Sequence, residues 1–192
     1  TFSFNAADAS IKGLHVDGGL DFANGLNLDG SIVFLDSELN PGRTIADGRY
    51  NVNSSNENSL QRNIDGHELP RTPDIQAKIN LSKSHALDAG VFDWIISAGY
   101  KGEYYSTIFN SKLYGASDAF TRERLNGTFG DFWTFDVGFG FEPMAMPNVK
   151  VEGYISNVTD EHEGSIALIT QDSHTRFFNA PRSGGLRVRA KF

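Results

Sequence analysis

Gly184-Gly185-Leu186-Arg187-Val188-Arg189-Ala190-Lys191-Phe192 closes the chain. Leu186, Val188, Ala190 and Phe192 share one parity, and Arg187, Arg189 and Lys191 share the other. Side chains alternate across a β-strand, so a strand here has one apolar face and one cationic face. Such a row of cations fits poorly against a soluble core. It suits a barrel wall with lipid outside and a polar lumen inside.

The same alternation recurs upstream. Trp133, Phe135, Val137, Phe139 and Phe141 oppose Thr134, Asp136, Gly138, Gly140 and Glu142. After the short turn Pro143-Met144-Ala145-Met146-Pro147-Asn148, Val149, Val151, Gly153 and Ile155 face away from Lys150, Glu152, Tyr154 and Ser156. Near the start, a strand from Ile11 to Phe22 sets Leu14, Val16, Gly18, Leu20 and Phe22 against His15, Asp17, Gly19 and Asp21. Asn24-Gly25 supplies positive-φ residues for a tight reversal, and Leu26, Leu28, Gly30, Ile32 and Phe34 resume the apolar parity against Asn27, Asp29 and Ser31. A third strand follows Leu69-Pro70-Arg71-Thr72-Pro73, where the prolines cost no ladder donor, with Ile75, Ala77, Ile79 and Leu81 opposing Gln76, Lys78, Asn80 and Ser82. A medium connection, Ser82 to Val91, leads to a fourth strand from Phe92 to about Phe109, in which Trp94, Ile96, Ala98 and Tyr100 oppose Asp93, Ser97, Gly99, Lys101 and Glu103. This makes seven antiparallel strands.

The long connections are residues 40 to 66, 110 to 130 and 158 to 176, well beyond the usual ~4 to 6 residues. Connections therefore run short, long, medium, long, short, long, the asymmetry of outer-membrane barrels with tight turns on one side and extended loops on the other. Phe22, Phe92, Trp94, Phe139 and Phe141 fall near the turn-side interface, and Tyr104, Tyr105, Phe132 and Trp133 near the loop-side one, as two aromatic girdles. The fold class is thus all-β, an antiparallel transmembrane β-barrel segment. Alternation also occurs in soluble β-sandwiches, and the alternatives are a soluble binding module or a smaller outer-membrane barrel with a structural or adhesive role.

Composition narrows the function. Fifteen phenylalanines, twenty glycines and no cysteine fit a β-rich protein without disulfide or thiol chemistry. A net charge of −7 with no basic run argues against nucleic acid as a partner. No apolar run approaches the ~20 residues of a spanning helix, and mean hydropathy of −0.34 is compatible with strands that meet lipid on one face only. The start at Thr1, without an initiator Met, reads as a cleavage site or a boundary within a longer polypeptide.

Four segments carry a family resemblance: Ala9-Ser10-Ile11-Lys12-Gly13-Leu14, Leu69-Pro70-Arg71-Thr72-Pro73, Ser156-Asn157-Val158-Thr159-Asp160-Glu161, and Ala180 to Phe192. In this order and strand context the chain resembles the carboxy-terminal part of a TonB-dependent outer-membrane receptor. The resemblance implies a barrel of twenty-two strands, of which residues 1–192 supply the last seven. It also implies an amino-terminal plug and earlier strands outside this chain, a bacterial outer-membrane location, and active transport of a scarce nutrient such as a ferric siderophore. The implied partners are the plug and other barrel strands, the TonB complex, the lipid bilayer and a siderophore-type small molecule. Phe192 would be the signal read by the barrel-assembly machinery.

Site residues divide by location. Arg43, Arg49 and Tyr50 in the first long loop, and Tyr114, Arg122 and Arg124 in the second, suit an anionic or aromatic ligand through charge-assisted bonds and stacking, with solubilisation of the loops as the plain alternative. In the third, His162 and His174 beside Glu161 and Glu163 are competent metal ligands, but their spacing matches no compact motif; no metal is expected, and the histidines are placed with the ligand-binding loops. Asp17, Asp21, Asp29, Lys78, Glu103, Asp136, Glu152, Arg187 and Arg189 face the lumen or a plug by parity, with the cations of the last strand near Glu152. No nucleophile elbow is present, and a strand rather than a helix follows Gly138-Phe139-Gly140, so neither an enzyme nor a cofactor is expected.

Overall fold

A computed structural model describes residues 8–40, 44–49, 61–110, 126–169 and 173–191, and all of its regular elements are β-strands. These are β1 (Asp8–Asp21), β2 (Leu26–Asn40), β3 (Thr44–Ala46), β4 (Gln61–Asn63), β5 (Ile75–Leu87), β6 (Gly90–Lys101), β7 (Tyr104–Tyr105), β8 (Thr128–Phe129), β9 (Phe132–Pro143), β10 (Val149–Ser156), β11 (Gly164–Ile169), β12 (His174–Phe178) and β13 (Ser183–Ala190). Seven of them form one antiparallel sheet in the order β1-β2-β5-β6-β9-β10-β13. The pairs β3–β4, β7–β8 and β11–β12 are separate two-stranded sheets within the long connections.

Register keeps the apolar residues of all seven strands on one face. One row runs Val16, Ile32, Ala77, Tyr100, Trp133, and another runs Ile96, Val137, Ile155. From Leu26 to Phe34, Phe92 to Tyr100 and Trp133 to Phe141 the apolar parity holds for nine residues. That is about 30 Å of strand, and at barrel tilts it spans a little over 20 Å, close to the ~25 Å apolar band of a membrane barrel. The apolar face is uncovered, with Leu14 at 59%, Leu186 at 78% and Val188 at 68% exposure.

Hydrogen bonds explain the tight turns. Gly25 takes φ 78° while Asn24 Oδ1 accepts from the Leu26 amide at 3.1 Å, closing β1–β2. At the β5–β6 turn, Gly90 has φ 152° and lies so close to the Glu142 carbonyl that a Cβ would overlap it. This connection is only Asp88-Ala89, a correction to the medium connection expected over Ser82 to Val91. Lys83 and His85 interrupt the apolar parity there while the backbone ladder continues.

At the other end β6 stops at Lys101 rather than near Phe109, and the Gly102 amide donates the last bond of the β5–β6 register to the Ile75 carbonyl, 2.9 Å away. Beyond it the buried cores begin. Leu39, Ile45, Ile64 and Phe109 make one cluster, and Tyr104, Phe129 and Ala167 the other. The loop-side aromatic girdle is corrected accordingly. Tyr104 is buried with its hydroxyl donating to the Gly164 and Ser165 carbonyls at 3.0 and 3.1 Å, and Phe132 packs against that cluster from the polar parity. Tyr105 sits in β7 with its hydroxyl donating to Glu103 at 3.4 Å. On the loop side the exposed ring is Trp133, beside the half-buried rings of Tyr100 and Phe135 at centroid separations of 4.9 and 6.1 Å. On the turn side Phe92 faces Phe141 and Trp94 faces Phe139.

Candidate functional site: the polar face and its loop-side caps

The second face of the sheet gathers most of the charged strand residues. Asp17, Ser31, Lys78, Gly99 and Thr134 form one row, and Asp29, Asn80, Ser97 and Asp136 the next. Asn80 donates to Asp29 at 2.7 Å. Toward the turns, Lys150 Nζ reaches Asp93 at 2.9 Å and Glu142 at 3.1 Å. Asp93 lies on β6 and Lys150 on β10, so this pair crosses the whole of β9. It can do so because the intervening residue is Gly140, where a Cβ would overlap Asp93 and stand 2.8 Å from Lys150 Cε. Glu152 is the register partner of Arg187 but pairs diagonally with Arg189, 3.0 Å away. A hollow of about 450 Å³ lies over this region, its walls including Asn27, Ser82, Asp93, Glu152, Tyr154 and Arg187.

Of the residues expected on this face, Asp17, Asp21, Asp29, Lys78, Asp136, Glu152, Arg187 and Arg189 share it by register. Glu103 does not lie in the sheet; it follows the end of β6. There it joins Asp74 beside Glu68, whose carboxyl is pushed above the usual range by burial first and by these two charges second.

The loop residues separate further. Arg49 is buried at 3% exposure, its guanidinium bidentate on Asp47 at 2.9 and 2.8 Å and stacked over Phe109 at 4.6 Å. It braces the first cap. His162 is exposed, 3.6 Å from Asp160, and His174 begins β12 opposite Ile169. Glu161 and Glu163 accept from the Glu163 and Gly164 amides at 2.9 and 3.0 Å, as loop caps do. Among the described residues no three His, Cys, Asp or Glu side chains converge as a metal site. Arg43, Tyr50, Tyr114, Arg122, Arg124 and Phe192 lie outside the described residues.

Asn157 plays a part that spacing alone did not reveal. Buried at 6% exposure and with φ 52°, it donates from Nδ2 to the Glu161 and Ala180 carbonyls at 3.0 and 2.9 Å and accepts the Glu161 amide at 2.8 Å. Its own amide donates to Asp136 at 2.8 Å. Asp160 accepts the Arg182 amide at 2.8 Å, and that bond, with the charges of His162 and Arg182, holds the carboxyl below its ordinary range. Two separated segments, Ser156–Glu161 and Ala180–Arg182, are thus stitched into one junction where β10 and β13 leave the sheet. The second cap is centred on Phe129, stacked on Tyr104 at 5.1 Å with the Arg176 guanidinium over its ring, also at 5.1 Å.

No family model and no characterised protein matches the chain in sequence. In structure it is similar to the walls of large outer-membrane receptors. Against the ferric yersiniabactin uptake receptor FyuA from Yersinia pestis the TM-score is 0.73 at 17% identity, covering 98% of this chain and 24% of that one. The siderophore receptor PiuA from Acinetobacter baumannii gives 0.68 at 17%, covering 97% and 22%, and the ferric citrate transporter FecA in its unliganded form gives 0.66 at 10%, covering 96% and 24%. The chain therefore has the fold of an outer-membrane receptor β-barrel segment. It spans about a quarter of the length of these proteins.

Proposed function

We propose that residues 1–192 are the carboxy-terminal barrel part of a TonB-dependent receptor of the bacterial outer membrane, which takes up a scarce nutrient of the ferric-siderophore class. The observation that carries this reading is the match over 98% of the chain to a ferric yersiniabactin uptake receptor at a TM-score of 0.73. Physical chemistry supports it. In the described sheet β1 and β13 each have one neighbour, and lipid cannot satisfy the backbone of an open edge, so further strands must close the wall. The polar face, with Lys150, Asp93, Glu142, Glu152 and Arg189 in ion pairs, faces a polar lumen and a plug domain. The caps hold the outer loops for ligand capture, and energy reaches the plug from the TonB complex. The role is transport, not catalysis.

The test is uptake of radiolabelled ferric siderophores by cells whose only receptor is the full-length gene product. Accumulation of one siderophore that disappears on deletion of TonB is expected. Accumulation that persists without TonB, or none across a panel of catecholate, hydroxamate and carboxylate siderophores, contradicts the reading.

A further inference from the structure

Within the apolar band and its turn-side border, Lys83 is the one charged side chain on the apolar face among the described residues. Its register partners are Leu26 on β2 and Trp94 on β6, and Phe139 stands beyond Trp94. Leu81 and His85 flank it on β5. The nearby acids turn away: Asp93 is on the other face with Lys150, and Asp88 is in the turn. Lys83 makes no ion pair within 4.0 Å among the described residues. An ammonium at the edge of hydrocarbon is a compact cation with three donors, and it stays charged there by reaching water or an anion at headgroup height.

His85 adds a second donor. Trp94 Nε1 donates to His85 Nε2 at 3.2 Å, which assigns the imidazole proton of the neutral ring to Nδ1. Lys83 and His85 are two residues apart on one strand, about 7 Å, the span of a phosphodiester and its glycerol. Trp94 borders them with an amphipathic ring of the kind favoured at this depth.

We propose that Lys83 and His85, bordered by Trp94, seat the phosphate of one glycerophospholipid in the turn-side leaflet. This inference rests on the membrane reading above. Native mass spectrometry of the detergent-solubilised full-length receptor tests it, with phosphatidylglycerol and, as a phosphate-free comparator, diacylglycerol of the same chains. The wild type retains one phosphatidylglycerol and no diacylglycerol. Lys83→Gln retains about fivefold less, the worth of one cation near a lipid surface. Lys83→Arg restores retention, and Lys78→Gln on the polar face leaves it unchanged. Equal retention by Lys83→Gln and wild type, equal binding of diacylglycerol, or displacement of the phospholipid by lipid A overturns the site while leaving the receptor reading intact. A wild type without heat-modifiable mobility overturns both.

Discussion

Leu14, Leu186 and Val188 stand more than half exposed in the wall, whereas Leu39, Ile64 and Phe129, at or beyond the loop-side ends of the same strands, are buried. The wall contains no core of its own. Its stability comes from the backbone ladder, from a solvent that accepts its apolar face, and from ion pairs on the polar face. The caps are ordinary protein interior, with packed aromatics and buried side-chain hydrogen bonds such as those of Arg49 and Tyr104. β2 passes from one regime to the other: Leu26 to Phe34 are apolar on the even parity, and then Leu35, Ser37 and Leu39 turn inward while Asp36 and Glu38 face out. The switch of parity marks where the strand leaves the lipid.

Substitutions in the two regions should therefore fail differently. The largest effect is expected for Phe129→Ala, which empties the centre of the second cap and costs about 3–5 kcal/mol locally. Limited proteolysis should then cut within β11–β12 while the barrel keeps its heat-modifiable mobility; loss of the whole barrel would show that cap and wall are one unit. Next comes Val137→Arg, mid-height on the apolar face, at about 2–4 kcal/mol in lipid-vesicle unfolding. Ser97→Arg on the polar face, beside Asp136, should cost under ~1 kcal/mol, since its charge meets a partner instead of lipid. Equal costs would remove the distinction between the faces.

Asn157→Ala acts at the junction where wall and cap meet. Its side-chain hydrogen bonds to Glu161 and Ala180 disappear from a buried site, at about 1–3 kcal/mol. Faster hydrogen exchange at the Glu161 and Arg182 amides, with the wall amides unchanged, is the expected signature.

The smallest effect is pH dependence, and the two ends of the loop side differ in sign. Asp160 has a lowered pKa, so the stability it lends is present above its ordinary value of 3.8 and is lost as pH falls through the lowered one. Glu68 has a raised pKa, so its contribution is full below 4.5 and is lost as pH rises through the raised value. Mild acid should tighten the Glu68 side and strong acid loosen the Asp160–Arg182 junction, as read by hydrogen exchange at each; both shifting in the same direction would contradict the assignment.

Much of the wall was legible because its chemistry repeats with period two. All seven strands and their order follow from residues such as Trp133, Phe135 and Val137 against Thr134 and Asp136. The β5–β6 turn was not legible, since Lys83 and His85 break the apolar pattern at the lipid border although the ladder does not break. The caps were hidden because β3, β4, β7 and β8 are two or three residues long, too short for any period. The polar parity pointed to Asp93 and Lys150 separately; their bridge across Gly140 needed the register.

Odd positions of β9 meet lipid and even positions do not. Nitroxides placed singly at residues 134 to 140 of the membrane-embedded protein read this through collisions with oxygen, which concentrates in lipid, and with a water-soluble nickel chelate. Oxygen accessibility should peak at 135, 137 and 139, and fall at 134, 136, 138 and 140. A reversed pattern, or immobile spin labels shielded from oxygen at the odd positions as in a soluble sandwich core, would contradict it.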